Sequence, residues 1–512
     1  MIIKSALFIF AIGLNALCMS MEPSDTKIRA LYNSLDPTSI AQHLAFYELY
    51  PQRPWGQQAL KDAWQLLAGS PLTQQLHSNE IPFSGKVIYA LVALVNKPID
   101  QEFSLSDPDA IDALIKLSSR LHHSSLKGHT IWSEKEMLEL PLDEIDLARG
   151  LFLSQFGPDK QRIQSYEALI DLMALQILAR LPKNASPEEK VTAINAFIFD
   201  EMGFRFPPHS LYAKDIDLYT FLPSVLDSRR GVCLGVSILY LCIAQRLALT
   251  LEMITPPGHI YVRYRSGDKI VNIETTARGI HIDCEEYLSI NTCSLQKRTI
   301  REVIGMAHFN QASVYWQNGE YVKALNAYQK AEPYMRGDPH LKELMGYLFI
   351  LTGKQEEGEK LLREIKDIIP DYAIVKNTMV DDYFLGHVDA KGIGVIFSKV
   401  DEDRQSILAK KQALEKTLQD YPRFRSGILS LAITWLQLHR VGEALEILNT
   451  FQSLDGSDPE VHYYLSVLYA QRRDFPKAWF HLQQVESIVK SHRYNPKILK
   501  ELRRELLGCC PE

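Results

Sequence analysis

Cysteine is scarce in this chain: seven in 512 residues, at Cys18, Cys233, Cys242, Cys284, Cys293, Cys509 and Cys510. No C-x-x-C pair occurs, so the paired-thiol signature of a structural zinc site is missing. An odd, thinly spread set in a chain of this length also argues against a disulfide scaffold. Cys284 and Cys293 could bridge each other if the chain is exported. A strong excess of charge is missing too. A net charge of −6 and a pI near 6.2 give no bulk footprint for nucleic acid or for an anionic membrane. Nor does the leading apolar run reach membrane-spanning length. Ala6 to Cys18, interrupted by Gly13 and Asn15 and preceded by Lys4, reads as a secretory signal peptide. The expectation is an exported protein, periplasmic or envelope-associated, with residues 1–20 removed. The membrane would be met only through an uncleaved leader, and the protein would be cytoplasmic if Met21 were the true start.

What remains is an ordinary globular composition, 46% hydrophobic and 23% charged, enough to build cores in two to four domains. Residues 21–139 carry apolar positions at three- and four-residue spacing in AQHLAFYELY, QQALKDAWQLLAG, GKVIYALVALV and AIDALIKLSSRLHH. They read as helices with a packing role and no chemical motif. A second region begins near 140. Leu147–Phe156 and Tyr166–Leu181 read as amphipathic helices. Ser186, Pro187 and Glu189 form an N-cap, first helical residue and capping box for a helix running through KVTAINAFIFDEMGF.

The chemistry lies in residues 140–302. Cys233, His259 and Glu274 follow one another within 42 residues, in RRGVCLGVSILYLCIAQRLAL, PPGHIYVRY and KIVNIETT. Cys233 opens a helix, whose free N–H groups and partial positive charge favour a thiolate, with Arg229 and Arg230 adding to that field. Cys242, deep in the same apolar run, reads as a core residue. A hairpin follows, turning at Ser266–Lys269. If Arg265 faces Ile270, then Ile260, Val262 and Tyr264 align with Thr275, Ile273 and Val271 on an apolar face. His259, Tyr261 and Arg263 share the other face with Thr276, Glu274 and Asn272. Glu274 is then the diagonal neighbour of His259, with Asn272 its competitor for the imidazole. His209, His281 and Asp283 read as loop or surface residues. A metal on His259 and Glu274 has no third ligand at suitable spacing, and no cofactor is expected.

From about 303 a period of 34 residues sets in. Ala312, Tyr315, Ala324, Tyr328 and Ala331 are followed by Gly346, Phe349, Gly358, Leu362 and Ile365. Ala432, Trp435, Ala444, Leu448 and Phe451 are followed by Ser466, Tyr469, Ala478, Leu482 and Val485. Small residues at fixed places let paired helices approach, and large ones fill the groove between them. This resembles the tetratricopeptide repeat, with units at 305–338, 339–372, 425–458 and 459–492. A weaker unit lies at 391–424, and the phase breaks at 373–390. Such arrays stack and present a concave face to a protein or peptide partner. Residues 493–512 read as a capping helix and tail.

INAFIFDEMGFRF, the FLPSVLDSRRGVCLGVSILYLCIAQRLAL block, PPGHIYVRY and VNIETTARG together resemble the transglutaminase-like superfamily, with its papain-like cysteine core. They resemble more closely the bacterial branch that joins this core to tetratricopeptide repeats. The resemblance implies an α+β, mostly helical fold: an N-terminal helical region, a core with antiparallel strands, and a C-terminal helical solenoid over 303–492. It implies Cys233 as nucleophile, His259 as base and Glu274, where the superfamily more often has Asp, as the orienting acid. The implied activity is a cysteine protease or acyltransferase acting on amide bonds. The alternative is a catalytically silent scaffold that docks proteins through the repeats.

Overall fold

The structure, a computed structural model, describes residues 23–69, 85–95, 97, 99–101, 107–207, 219–401 and 403–510. The leader at 1–20 and His209 lie outside the described residues. No described helix is long and apolar enough to cross a membrane.

Mostly helical segments surround one small antiparallel sheet, as the sequence predicts. Its strands are β1 (Glu252–Thr255), β2 (Tyr261–Ser266), β3 (Lys269–Ile273) and β4 (Gln296–Arg298), in the spatial order β3-β2-β1-β4. The hairpin register is the expected one: Arg265 pairs with Ile270, Tyr264 with Val271, Arg263 with Asn272 and Val262 with Ile273. The ladder stops there, one residue short of Glu274. The chain then enters a short 3-10 turn over Thr275–Ala277, and Glu274 bridges Ile280 instead.

The apolar face of the hairpin packs on the Cys233–Arg246 helix. Leu234 to Ala244 are all buried there, and Val262 and Ile273 are wholly covered. Burying one such aliphatic side chain contributes about 1.5–3 kcal/mol. The Leu147–Phe156 and Lys160–Leu178 helices flank this helix and belong to the same apolar core. The Ser186 capping box is present: Glu189 N–H donates to Ser186 Oγ at 3.2 Å, and Ser186 N–H donates to Glu189 Oε2 at 2.7 Å. The helix it starts continues through a π-helical segment to Glu201. The core is continuous from Ile40 in the N-terminal helices to Phe424 in the array.

Each of the four clear repeat units is a helix pair: Ile300–Gln317 with Tyr321–Ala331, Pro339–Leu351 with Gln355–Ile365, Arg425–Gln437 with Val441–Leu454, and Pro459–Gln471 with Phe475–Ser491. The weak unit is also a pair, Ala390–Phe397 with Arg404–Asp420. Lys497–Cys509 caps the end, burying Leu499, Leu502 and Leu506 against Trp479, Leu482 and Val485. The phase break has a tertiary cause. Residues 372–375 leave the array to pair with the core: Cys293 N–H donates to Tyr372 O at 2.8 Å, and Ile374 N–H to Asn291 O at 3.1 Å. A short helix, Met379–Phe384, follows.

Gly358 marks the tightest approach within the second pair. A Cβ there would lie 2.4 Å from Gly346 O and 2.6 Å from Ile350 Cγ1. Gly358→Val therefore has to push the two helices apart. It is expected to lower stability by about 1–3 kcal/mol, read as the shift in a urea unfolding curve. An unchanged midpoint would mean that the pair is not packed this closely.

Candidate active site

Cys233 is the first residue of its helix, and the N-cap, Val232, offers no side-chain hydrogen bond to the first turn. The backbone N–H groups around the thiol are thus left without a capping side chain. Two features fix this helix start. Gly235 lies so close to the preceding segment that a Cβ would stand 2.3 Å from Tyr219 O. Ser237 Oγ lies 2.9 Å from Thr275 Oγ1, which in turn donates to Cys233 O at 3.5 Å. Thr275 adjoins Glu274, so the same contact holds thiol and carboxylate in register.

His259 sits in a turn after Pro256-Pro257-Gly258, with its N–H on Pro256 O at 3.1 Å. It precedes β2 rather than opening it. Its Nε2 lies 2.6 Å from Glu274 Oε2, and the ring lines the same cleft as Cys233. Burial works against charge on this ring, but the bonds to Cys233 and Glu274 outweigh it and push the imidazole up to about 9. Burial likewise disfavours the Glu274 anion. Hydrogen bonds from His259, Thr276 and Tyr287 win, holding the carboxyl down at about 2.

The three predicted residues therefore converge although the ladder ends early. Asn272 does not compete. Its amide donates to Ile282 O at 2.7 Å, and its oxygen accepts from Arg263 Nε at 3.2 Å. His281 and Asp283 pair with each other at the surface. Cys242 is fully buried, and burial raises its thiol far above the usual range. Cys284 and Cys293 are free thiols. Arg229 and Arg230 do not serve the thiol as expected. Arg229 donates to Met202 O and Lys97 O, and Arg230 pairs with Asp100 at 3.8 Å.

Tyr287 was not legible in the sequence. Its hydroxyl donates to Glu274 Oε2 at 2.7 Å, and its ring stacks on His259 with centroids 5.7 Å apart. It comes from an irregular segment with no periodicity to betray it. The array holds that segment from behind. Tyr494 Oη lies 2.9 Å from both Ser289 O and Thr292 O, and Lys497 pairs with Glu286.

Cys233 and His259 line a cleft of about 500 Å³. One wall is the core, through Pro256, Pro257 and Ile260. The other is the start of the array, through Met306, Phe309, Met335 and His340.

Residues 164–308 match the model of the transglutaminase-like superfamily. They form a transglutaminase-like domain. Mouse F-box only protein 21 is similar, 29% identical over 111 residues, which is 22% of this chain. The match takes in only 16% of the length of that relative. Among solved structures, MamA from Desulfovibrio magneticus RS-1 is 14% identical, with a TM-score of 0.19, over 36% of this chain and 96% of its own. The TPR2AB domain of yeast Sti1, solved as a complex with pHSP90, is 13% identical, with a TM-score of 0.19, over 40% of this chain and 85% of its own.

The ring and the carboxylate of the transglutaminase-like domain set a pH window for stability. His259 titrates at about 9 when folded against 6.5 ordinarily, so its contribution is full below 6.5 and is lost as pH rises through about 9. Glu274 is held at about 2 against 4.5, so its contribution is full above 4.5 and is lost as pH falls through about 2. Both are complete between 4.5 and 6.5. An NMR titration of His259 is expected to report a value near 9. Glu274→Gln is expected to bring it down by about one unit or more. An unmoved titration would show that the carboxylate does not hold the ring.

Proposed function

We propose that the chain is a cysteine acyl-transfer enzyme acting on amide or peptide bonds, with its helical array recruiting a protein or peptide substrate. The observation that carries this reading is an imidazole bonded to Glu274 through Nε2 that lines one cleft together with the Cys233 thiol at a helix start. The Cys233 thiolate attacks the substrate carbonyl carbon, and the carbonyl electron pair moves onto oxygen. N–H groups of the helix start stabilise that oxyanion. His259, protonated at neutral pH, gives its proton to the leaving amine as the carbon–nitrogen bond breaks. Water or a second amine then attacks the thioester and passes a proton to the imidazole, and the carbon–sulfur bond breaks to release the Cys233 thiolate. Glu274 and Tyr287 hold the ring in the orientation both steps require.

The array serves this chemistry in two ways. Its first helix and the turn after the first pair wall the cleft with Met306, Phe309 and Met335, which favours an apolar side chain beside the scissile bond. A second cavity of about 330 Å³, lined by His340, Glu343, Tyr372 and Asn377, would suit a peptide flanking that bond. Residues 1–20 would direct export, placing substrate and enzyme outside the cytoplasm.

A thiol-directed alkylating probe at neutral pH tests the reading, with sites mapped by mass spectrometry. Cys233 is expected to label far faster than the buried Cys242, and His259→Ala is expected to slow it about tenfold or more. If Cys233 labels no faster than Cys242 and ignores His259→Ala, the chain is a binding scaffold without catalysis.

A further inference from the structure

At the far end of the Cys233–Arg246 helix lies a second cluster, independent of the cysteine chemistry. We propose that His123, His129 and Asp146 form a site for a first-row divalent cation, Zn²⁺ foremost. One ligand-type atom from each of the three lies within 4.8 Å of the others. A tetrahedral ion with bonds of about 2 Å sets its ligands about 3.3 Å apart, so a small rotation of one ring closes the site. Two imidazoles and one carboxylate are the donor set that a borderline ion of this kind takes.

Charge and hydrogen bonding both point to a ligand. Three buried carboxylates, Asp146, Asp171 and Glu167, face two buried guanidiniums. Arg149 takes Glu167 in a two-pronged pair at 2.6 and 2.8 Å, and Arg246 takes Asp171 at 2.5 Å. Asp146, completely buried, is left with no guanidinium bonded to it. It caps the Leu147–Phe156 helix with Oδ1 and meets His129 Nδ1 at 3.1 Å with Oδ2. A proton on His129 would balance this carboxylate. It would leave His123 unexplained, because that ring is fully buried and neither nitrogen has a hydrogen-bond partner. Nε2 lies 3.3 Å from Asp171 Oδ1 without the alignment of a hydrogen bond. Buried nitrogens left without a partner are costly to a fold. A divalent cation bound by His123, His129 and Asp146 more than offsets the carboxylate left without a guanidinium and gives the idle ring a partner.

The surroundings fix these groups in advance, as a metal centre needs. The Gln245 side-chain amide grips both peptides flanking Asp146, donating to Ile145 O at 2.8 Å and accepting from Leu147 N–H at 3.0 Å. The 3-10 turn carrying His129, Lys127–Thr130, is tied down by Lys127 N–H on Glu144 Oε2 at 2.8 Å. A cavity of about 170 Å³ borders the cluster on the His129 side, lined also by Trp132, Arg149, Glu167 and Asp171.

The test is calorimetric titration of Zn²⁺ into the full chain, stripped by chelator, in wild type and in His129→Asn. Zinc held by thiols elsewhere is common to both proteins and cancels. One saturable site is expected in wild type, weakened about 100-fold or more in the variant, a loss at or beyond the limit for an outer-shell partner. Zn²⁺ is also expected to raise the melting temperature of wild type only. Should His129→Asn fail to fold, Co²⁺ added to wild type decides: a visible band of nitrogen and oxygen coordination supports the site. A spectrum dominated by thiolate charge transfer overturns it, as does equal zinc affinity in the two folded proteins or no saturable site in wild type.

Discussion

One buried helix, Cys233–Arg246, is clamped at both ends, and the chain's chemistry is organised around those clamps. At its start, Gly235 against the Tyr219 carbonyl and Ser237 against Thr275 fix where the thiol points. At its end, Gln245 brackets Asp146 and Arg246 neutralises Asp171. Roughly 20 Å of rigid helix separates the two groups. A thiol site needs that rigidity, since misplacing a reacting group by about 1 Å costs on the order of 100-fold in rate.

The array is more than an appendage hung from this core. It contributes a wall of the cleft. It also returns to the core twice, through residues 372–375 on the segment around Asn291 and through Tyr494 on Ser289 and Thr292. Both contacts brace the segment that carries Tyr287, and Tyr287 steadies both the carboxylate and the imidazole. The proposed recruitment of a partner by the repeats would therefore share physical parts with the alignment of the thiol site. A partner that tightened the array would act on the site through Tyr287, with no direct contact to Cys233.

Patterns with a period were legible in the sequence. Alternation fixed the hairpin register, because a one-residue slip would have turned Val262 and Tyr264 away from the core. The 34-residue recurrence of small residues placed the helix pairs, since only small side chains allow the approach seen at Gly346 and Gly358. The thiol, imidazole and carboxylate were legible as a set from their order and their elements. Other features depend on tertiary contacts that leave no periodic trace. Glu274 leaves the ladder because Ile280 folds back to pair with it. The repeat phase breaks because residues 372–375 are claimed by the core. Arg229 and Arg230 turn to Met202, Lys97 and Asp100 because those partners are distant in sequence and near in space. His123, His129 and Asp146 have no spacing that names them, since two 3-10 turns and a helix cap bring them together.

The central claim is that one imidazole joins the Cys233 sulfur to the Glu274 carboxylate. A crystal structure of the full chain, at a resolution that orients the His259 ring, tests it most directly. The account predicts Nε2 on Glu274 Oε2 and the sulfur of Cys233 within hydrogen-bonding reach of Nδ1, about 3–4 Å. A ring turned out of the cleft, with Glu274 bonded only to Thr276 and Tyr287, would contradict it.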